Sequence, residues 1–287
     1  MDLGNRNDSI VILKKPKKKS NLFNILIGVP YFFILGFLIL IPMVLLIVYS
    51  FSKTSDTGFN FSFTFDHYYN LFSNKTILLS ILKSIYLALI STSIVLVISY
   101  PVAYIISRQK INVQRLLILL VNAPMWINML LKLLSIKQLF SMLDPSFSGS
   151  EAGVIFGMVY MYLPFMIIPI YTVLSKLDYS LYEGSYDLGA SKFQTIIKVI
   201  LPLSISGILG GIVMVFLPVA TTITVGKILG HNSYLIGNII EEAIKKRMNG
   251  GYGFGAAISL FLALIMILMV FFTRKLDKFG VIKDEAK

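Results

Sequence analysis

The chain has 287 residues, of which 56% are hydrophobic and only 14% charged, with a formal net charge of +12 and a mean hydropathy of +0.80. Soluble domains carry about a quarter charged residues, so this composition excludes an ordinary water-soluble fold and points to segments apolar on every face, suited to lipid. No basic folded domain remains once those segments are removed, so the positive charge marks one side of a membrane and does not indicate nucleic acid. The absence of cysteine excludes disulfides and thiolate chemistry.

In chain order, Met1–Ser20 is a polar tail ending in Lys14-Lys15-Pro16-Lys17-Lys18-Lys19. It suits a disordered segment lying against anionic headgroups. Charge-free windows then predict six spans, at about Asn21–Phe51, Ser84–Ser107, Leu116–Ile136, Ala152–Ser175, Ile196–Val225 and Gly253–Thr273. Each is near or above the roughly 20 residues that cross the hydrocarbon core. The first block is too long for the apolar core of a signal peptide, and no small-residue cleavage site follows it. The third is the weakest, because Lys132 and Lys137 fall in its last turns, from which they would snorkel to the interface. The expectation is an all-α membrane protein with a transmembrane domain over 21–275, flanked by cytoplasmic tails at 1–20 and 276–287.

Most of the 26 lysines and arginines fall on the side that holds the tails, Arg108–Arg115 and Lys176–Lys198, so both termini are expected in the cytoplasm. Lys245-Lys246-Arg247 is the exception, since six spans put it outside. Two outer loops are long enough to carry structure. Thr54–Thr76 holds Phe59, Phe61, Phe63, Phe65, Tyr68 and Tyr69, a pattern for a short strand or an interfacial cap. Ile228–Arg247 reads as an amphipathic helix before the turn Gly250-Gly251-Tyr252-Gly253. Pro101, Pro124, Pro164, Pro169, Pro202 and Pro218 sit inside spans, where membranes tolerate kinks around a cavity. Gly207 and Gly211 have the spacing that permits close helix packing.

Catalytic constellations are not found. The two histidines, His67 and His231, are both in outer loops and read as solvated surface residues. No metal-ligand cluster and no phosphate-binding G-x-x-x-x-G-K-[ST] loop occurs. The Gly251, Gly253 and Gly255 spacing follows no strand and reads as a turn into the last span. The spans also lack the carboxylates that relay protons or hold a cation at the midplane. Glu151 lies at an entrance, and Glu241 and Glu242 lie in an outer loop. Transport driven by energy from another subunit fits better than proton-coupled transport.

The segment between the fourth and fifth spans, about 178–190, reads as a short helix, a glycine stop and a new helix entering the membrane. Asp178 and Ser180 can cap its start, and Gly189 can take the left-handed stop. Glu183 and Asp187 are one turn apart and project together. Such an acidic-apolar helix on the cytoplasmic face suits docking of a partner; an ordinary interhelical loop is the other reading.

This segment resembles the coupling motif of ABC importer permeases, Glu-Ala-Ala, three residues, glycine, nine more, then Ile-x-Leu-Pro. Glu183, Gly189 and the run Ile200-Leu201-Pro202 carry the likeness, with Gly184-Ser185 in place of Ala-Ala, and the resemblance implies ATPase coupling for these residues together with Asp187, Leu188 and Ala190. Both replacements are poorer helix formers. Nearly the whole chain is similar to the B-type permease subunits of spermidine/putrescine importers, within the binding-protein-dependent transport inner-membrane component family. The matching pieces include Pro124-Met125-Trp126-Ile127-Asn128, Gly157-Met158-Val159-Tyr160, Leu163-Pro164-Phe165-Met166, Asp187–Lys192, Leu235-Ile236-Gly237-Asn238 and Phe254-Gly255-Ala256-Ala257. Leu131-Lys132 stands where the family usually has Ile-Arg, keeping the charge without the guanidinium fork.

The resemblance implies a type I ABC importer permease fold in the cell membrane. It implies a second, homologous permease, two copies of a cytoplasmic ATPase that hold ATP and magnesium, and an external polyamine-binding protein or domain. This chain would need no cofactor and would not be an enzyme. Its coupling helix would seat in the ATPase and transmit the closure to the spans. A polycation's passage should offer aromatic faces and oxygen acceptors, which nominates Trp126, Asn128, Tyr160 and Tyr162; packing of these side chains is the alternative. Two other functions fit the same spans, an importer permease for another solute and a stand-alone channel or secondary carrier.

Overall fold

The computed structural model describes residues 29–53, 62–230, 235–246 and 251–277. The basic tail Met1–Ser20, the aromatics Phe59 and Phe61, His231, Arg247, Gly250 and the end of the C-terminal tail lie outside the described residues. The chain divides into two units, Met1–Leu46 and Ile47–Lys287.

The first unit holds most of helix α1, Val29–Ser50. Its stretch Leu35–Leu40 widens into a π-turn, closed by the Ile41 N–H donating to the Gly36 carbonyl. Pro42 follows at once. A proline ring collides with the carbonyl four residues back, and a widened turn relieves that collision.

The second unit is built of α2 Asp66–Ser73, α3 Lys75–Ser107, α4 Ile111–Asn122, α5 Met129–Leu143, α6 Glu151–Leu174, α7 Ser180–Asp187, α8 Lys192–Leu203, α9 Ile205–Ala220, α10 Thr224–Leu229, α11 Ile236–Lys246 and α12 Tyr252–Asp277. Among the described residues, four helices, α1, α3, α6 and α12, are long and apolar enough to cross a membrane by themselves. The pairs α4–α5 and α8–α9 bring the number to six if each counts as one span, and they bend by 89° and 68°.

The third and fifth expected spans, where Pro124 and Pro202 predict kinks, are thus sharply bent pairs of helices. In the third, a 3-10 turn at Ala123–Trp126 ends α4, and Asn128 starts α5 anew, its side-chain oxygen accepting from the Leu130 N–H at 2.8 Å. In the fifth, Ile196–Ile200 forms a second π-turn just before Pro202, with the Leu201 N–H donating to the Ile196 carbonyl. The second span begins earlier than the charge-free window, at a cap where the Asn74 side chain accepts from the Thr76 and Ile77 N–H groups. The window had stopped at Lys83, but that lysine is paired with Glu151 at 2.6 Å. The expected outer helix over Ile228–Arg247 resolves into α10 and α11, with residues 231–234 undescribed.

Helices α3, α6 and α9 form the centre of the second unit. The inward stripe of α3 runs Ser84, Leu87, Ala88, Ser91, Thr92, Val95, Ser99, Ala103, while Leu82, Leu89, Val97 and Ile105 point outward and are exposed. Small and polar residues on the packed face with large apolar ones outside is the pattern of helices packed in lipid. Gly207 and Gly211 place α9 directly against α6: a Cβ at Gly207 would lie 2.9 Å from the Pro169 carbonyl oxygen, and one at Gly211 would lie against Met166 Sδ.

At the end of the unit where α3 and α6 begin, the chain after α1 forms an isolated antiparallel bridge, Ser52 with Phe63. The Phe51 ring packs on Phe63, Phe65 and Tyr68. His67 is not a solvated surface residue: it is 5% exposed, and its Nε2 lies 3.0 Å from the Ser52 carbonyl oxygen. Gly253 explains this, because any Cβ there would collide with the imidazole.

Candidate coupling surface and pathway residues

The opposite end, where α3 and α6 finish, carries α7. Its start is fixed by Asp178, whose carboxylate accepts from the Ser180 N–H at 3.0 Å. That hydrogen bond holds the Asp178 carboxyl below the usual carboxylate range. Its end is a Schellman stop. Gly189 takes φ +81°, its N–H donates to the Tyr186 carbonyl at 2.8 Å, and the Ala190 N–H donates to the Ser185 carbonyl at 3.0 Å. This satisfies carbonyls that the helix end would otherwise leave open. Ser191 then opens α8 with a capping box: its hydroxyl accepts from the Gln194 backbone N–H, and its own backbone N–H donates to Gln194 Oε1.

Two faces of α7 differ. Tyr182 and Ser185, three residues apart, are buried. The Ser185 hydroxyl lies 2.8 Å from that of Thr195 on α8. Glu183, Gly184, Asp187 and Gly189 are exposed, and Leu188 beside them is 90% exposed. Phe193, at the start of α8, is also exposed. The outward surface therefore combines two carboxylates with apolar side chains.

Beneath α7 lies Arg108, the residue that ends α3. Its guanidinium carbon sits 3.9 Å from the centre of the Tyr182 ring, and Nη2 donates to the Leu174 carbonyl at 3.4 Å, at the end of α6. A cation at a helix C-terminus is favourable. Burial pushes the Tyr182 phenol up to about 12, with the Arg108 charge offsetting only part of the rise, so the ring stays neutral at physiological pH. Further along, the break between Pro202 and α9 is held from α3 by Tyr100, whose hydroxyl lies 3.1 Å from that of the buried Ser204.

Of the residues expected from the sequence, Glu183, Gly184, Asp187, Leu188 and Gly189 lie on the exposed side of α7 and at its stop, Ala190 follows half-buried, Ser185 faces inward, and Pro202 lies further on, at the bend between α8 and α9. Sequence reasoning read Arg108 only as a charge marking a side, and it missed Tyr182 and Thr195. The i, i+3 spacing of Tyr182 and Ser185 was the available signal for a buried stripe.

The four nominated pathway residues are not gathered on one wall of this chain. Trp126, exposed, and Asn128 share the α4–α5 bend, where the Asn128 oxygen is engaged as the α5 cap. Tyr160 and Tyr162 are separated by about 200° around α6. Tyr160 is exposed, and Tyr162 is buried against Phe165. Among the described residues, no group of three His, Asp or Glu side chains converges as a metal site.

Helices of this length and apolar character, with two bent pairs among them, define a polytopic membrane protein. Residues 20–279 match the model of the binding-protein-dependent transport system inner membrane component family, and the chain belongs to that family. It is 34% identical over 259 residues to the spermidine/putrescine transport system permease protein PotB of Haemophilus influenzae, covering 84% of this chain and 90% of that one. PotB of Escherichia coli K12 is 34% identical over 257 residues, covering 83% and 92%. Among solved structures, the fold is shared with a chain of a bacterial ABC transporter that imports the acidic polysaccharide alginate. The TM-score is 0.68 at 16% identity, over 91% of this chain and 96% of that one. This chain is thus a multi-pass inner-membrane permease subunit of an ABC importer, a transport component and not an enzyme.

Proposed function

We propose that this permease carries polyamines, spermidine or putrescine, inward across the membrane. The observation that supports the substrate most strongly is the 34% identity, spread over most of the chain, to permeases named for those two amines. The chain forms half of the translocation pathway and a second homologous permease forms the other half. An external binding protein or domain delivers the polyamine. Both termini are cytoplasmic, so α7 faces the cytoplasm. ATP and magnesium are held by two copies of a separate ATPase.

In this reading, α7 is the coupling helix. Glu183, Asp187 and Leu188 offer charge and apolar contact to a groove of the ATPase, and Gly189 stops the helix where the chain must turn. Trp126, Asn128, Tyr160 and Tyr162 serve the pathway; the outward-facing ones act where the second permease closes the cavity. Aromatic faces attract ammonium groups without binding them so tightly that release stalls.

The fold shared with an alginate transporter chain supports a second reading, an importer permease for another solute. Depleting the protein in cells and following labelled spermidine, with an unrelated amino acid as control, separates the two. Loss of spermidine uptake alone supports the polyamine reading. Unchanged spermidine uptake in cells without another polyamine route rejects it and leaves the other solute.

A further inference from the structure

Arg108 is singular among the described basic residues at this end. Arg108 meets three elements at once: its backbone ends α3, its guanidinium carbon lies 3.9 Å from the centre of the Tyr182 ring on α7, and its Nη2 donates to the last carbonyl of α6, that of Leu174. A second ring on its own helix, Tyr104, lies 5.8 Å from the same carbon. No carboxylate among the described residues pairs with it within ion-pair distance. Tyr182 is 2% exposed and Arg108 half-buried, so the ring side of the contact is shielded from water, which strengthens cation–π attraction. Neither a lysine nor a neutral side chain offers the same combination, because only the guanidinium has a flat face to stack and edge N–H groups to donate.

We propose that Arg108 is the positioning residue that ties the ATPase-facing helix to the two central spans, so that movement of α7 reaches α3 and α6 together. The inference rests on α7 being the coupling helix. The neighbouring tie, Ser185 to Thr195, leads to α8 and the broken span. Arg108 supplies the other branch, to the unbroken helices. Without it, α7 stays attached to α8 but slides over the ends of α3 and α6, and ATP is spent without matched transport.

The test uses the complete transporter, with both permeases, the ATPase and the binding protein, in proteoliposomes. It reads spermidine transported per ATP hydrolysed. Co-purification of the ATPase is scored separately. If the wild-type complex holds no ATPase, the coupling-helix reading itself has failed. With the ATPase retained, Arg108→Gln lowers the ratio by about fivefold or more, the loss of a shielded cation–π contact. Arg108→Lys, which keeps the charge without the plane, falls between. Tyr182→Leu reproduces the loss, and Tyr182→Phe, which keeps a ring face, restores the ratio. Wild-type ratios in Arg108→Gln and Tyr182→Leu overturn the proposal. If Arg108→Gln does not accumulate in membranes, Arg108→Lys and Tyr182→Leu decide on the same terms. Failure of all three to accumulate also counts against it, since Arg108 would then serve only to hold the fold.

Discussion

The Ser185 hydroxyl lies 2.8 Å from the Thr195 hydroxyl, both buried, and so joins the short helix α7 to the start of the broken span α8–α9. Ser185 stands where the resembling motif has alanine, and as a weaker helix former it would loosen the helix. The structure gives the substitution a compensating bond. A double-mutant cycle with Ser185→Ala and Thr195→Val should give a coupling energy of about 1 kcal/mol in unfolding of the purified protein. Strict additivity would show that the two hydroxyls do not act together.

The two glycines of α7 should respond in opposite directions to alanine. At Gly184 nothing lies within 4 Å of an added Cβ, and the residue is exposed inside the helix. Gly184→Ala should therefore stabilise α7 by about 0.5–1 kcal/mol. Gly189 has equal space but φ +81°, and Gly189→Ala should cost about 1–2 kcal/mol. Hydrogen exchange of the amides from 184 to 190 reads both: slower in the first variant, faster in the second. Equal effects at the two positions would contradict the Schellman stop.

Close approach of α9 to α6 sets a second contrast. A Cβ at Gly207 meets backbone, the Pro169 carbonyl oxygen and the Ile170 Cα, whereas one at Gly211 meets the Met166 side chain first. Gly207→Ala should cost about 1–3 kcal/mol because backbone cannot give way without moving the helix. Gly211→Ala should cost less, since Met166 can change rotamer. Denaturation of the two variants side by side in detergent checks the order; a larger loss at Gly211 would refute it.

Helix α11 should loosen in acid. Glu241 pairs with Lys227 on α10 and with Lys245 one turn on, and these partners hold its carboxyl below the usual range. A lowered folded value means the pairing contributes fully above the unfolded carboxyl range, about pH 4.3. The contribution is then lost as pH falls through the folded value. Exchange protection of α11 should drop across that window. Glu241→Gln should remove this part of the pH dependence. An unchanged acid profile in Glu241→Gln would show that the pairs do not hold the helix.

Much of this was legible in the sequence because it depends on local rules. Gly189 declared its stop by being the residue that tolerates a left-handed backbone, and Asp178 the turn into the helix, one residue before the cap position Tyr179. The spans declared themselves by hydropathy, since lipid requires apolar surface on every side. What escaped depends on partners distant in the chain. Arg108 and Tyr182 meet only after α3 and α6 are packed. Lys83 looked like the edge of a span until Glu151 neutralised it. His67 looked exposed until Gly253 made room for its ring. Pro124 and Pro202 announced kinks, but hydropathy has no angle in it, so the size of the bends, 89° and 68°, was not legible.

The central claim is that this chain admits polyamine only when an attached ATPase works on α7. Its most direct test is uptake of labelled spermidine into proteoliposomes holding the complete transporter, with ATP on the ATPase side and loaded binding protein on the other. Wild type should accumulate spermidine only with ATP. Glu183→Lys, which reverses the charge at one of the two carboxylates α7 presents, should lose the ATPase or the uptake. Uptake that proceeds equally without ATP, or that survives Glu183→Lys with the ATPase still bound, would contradict the account.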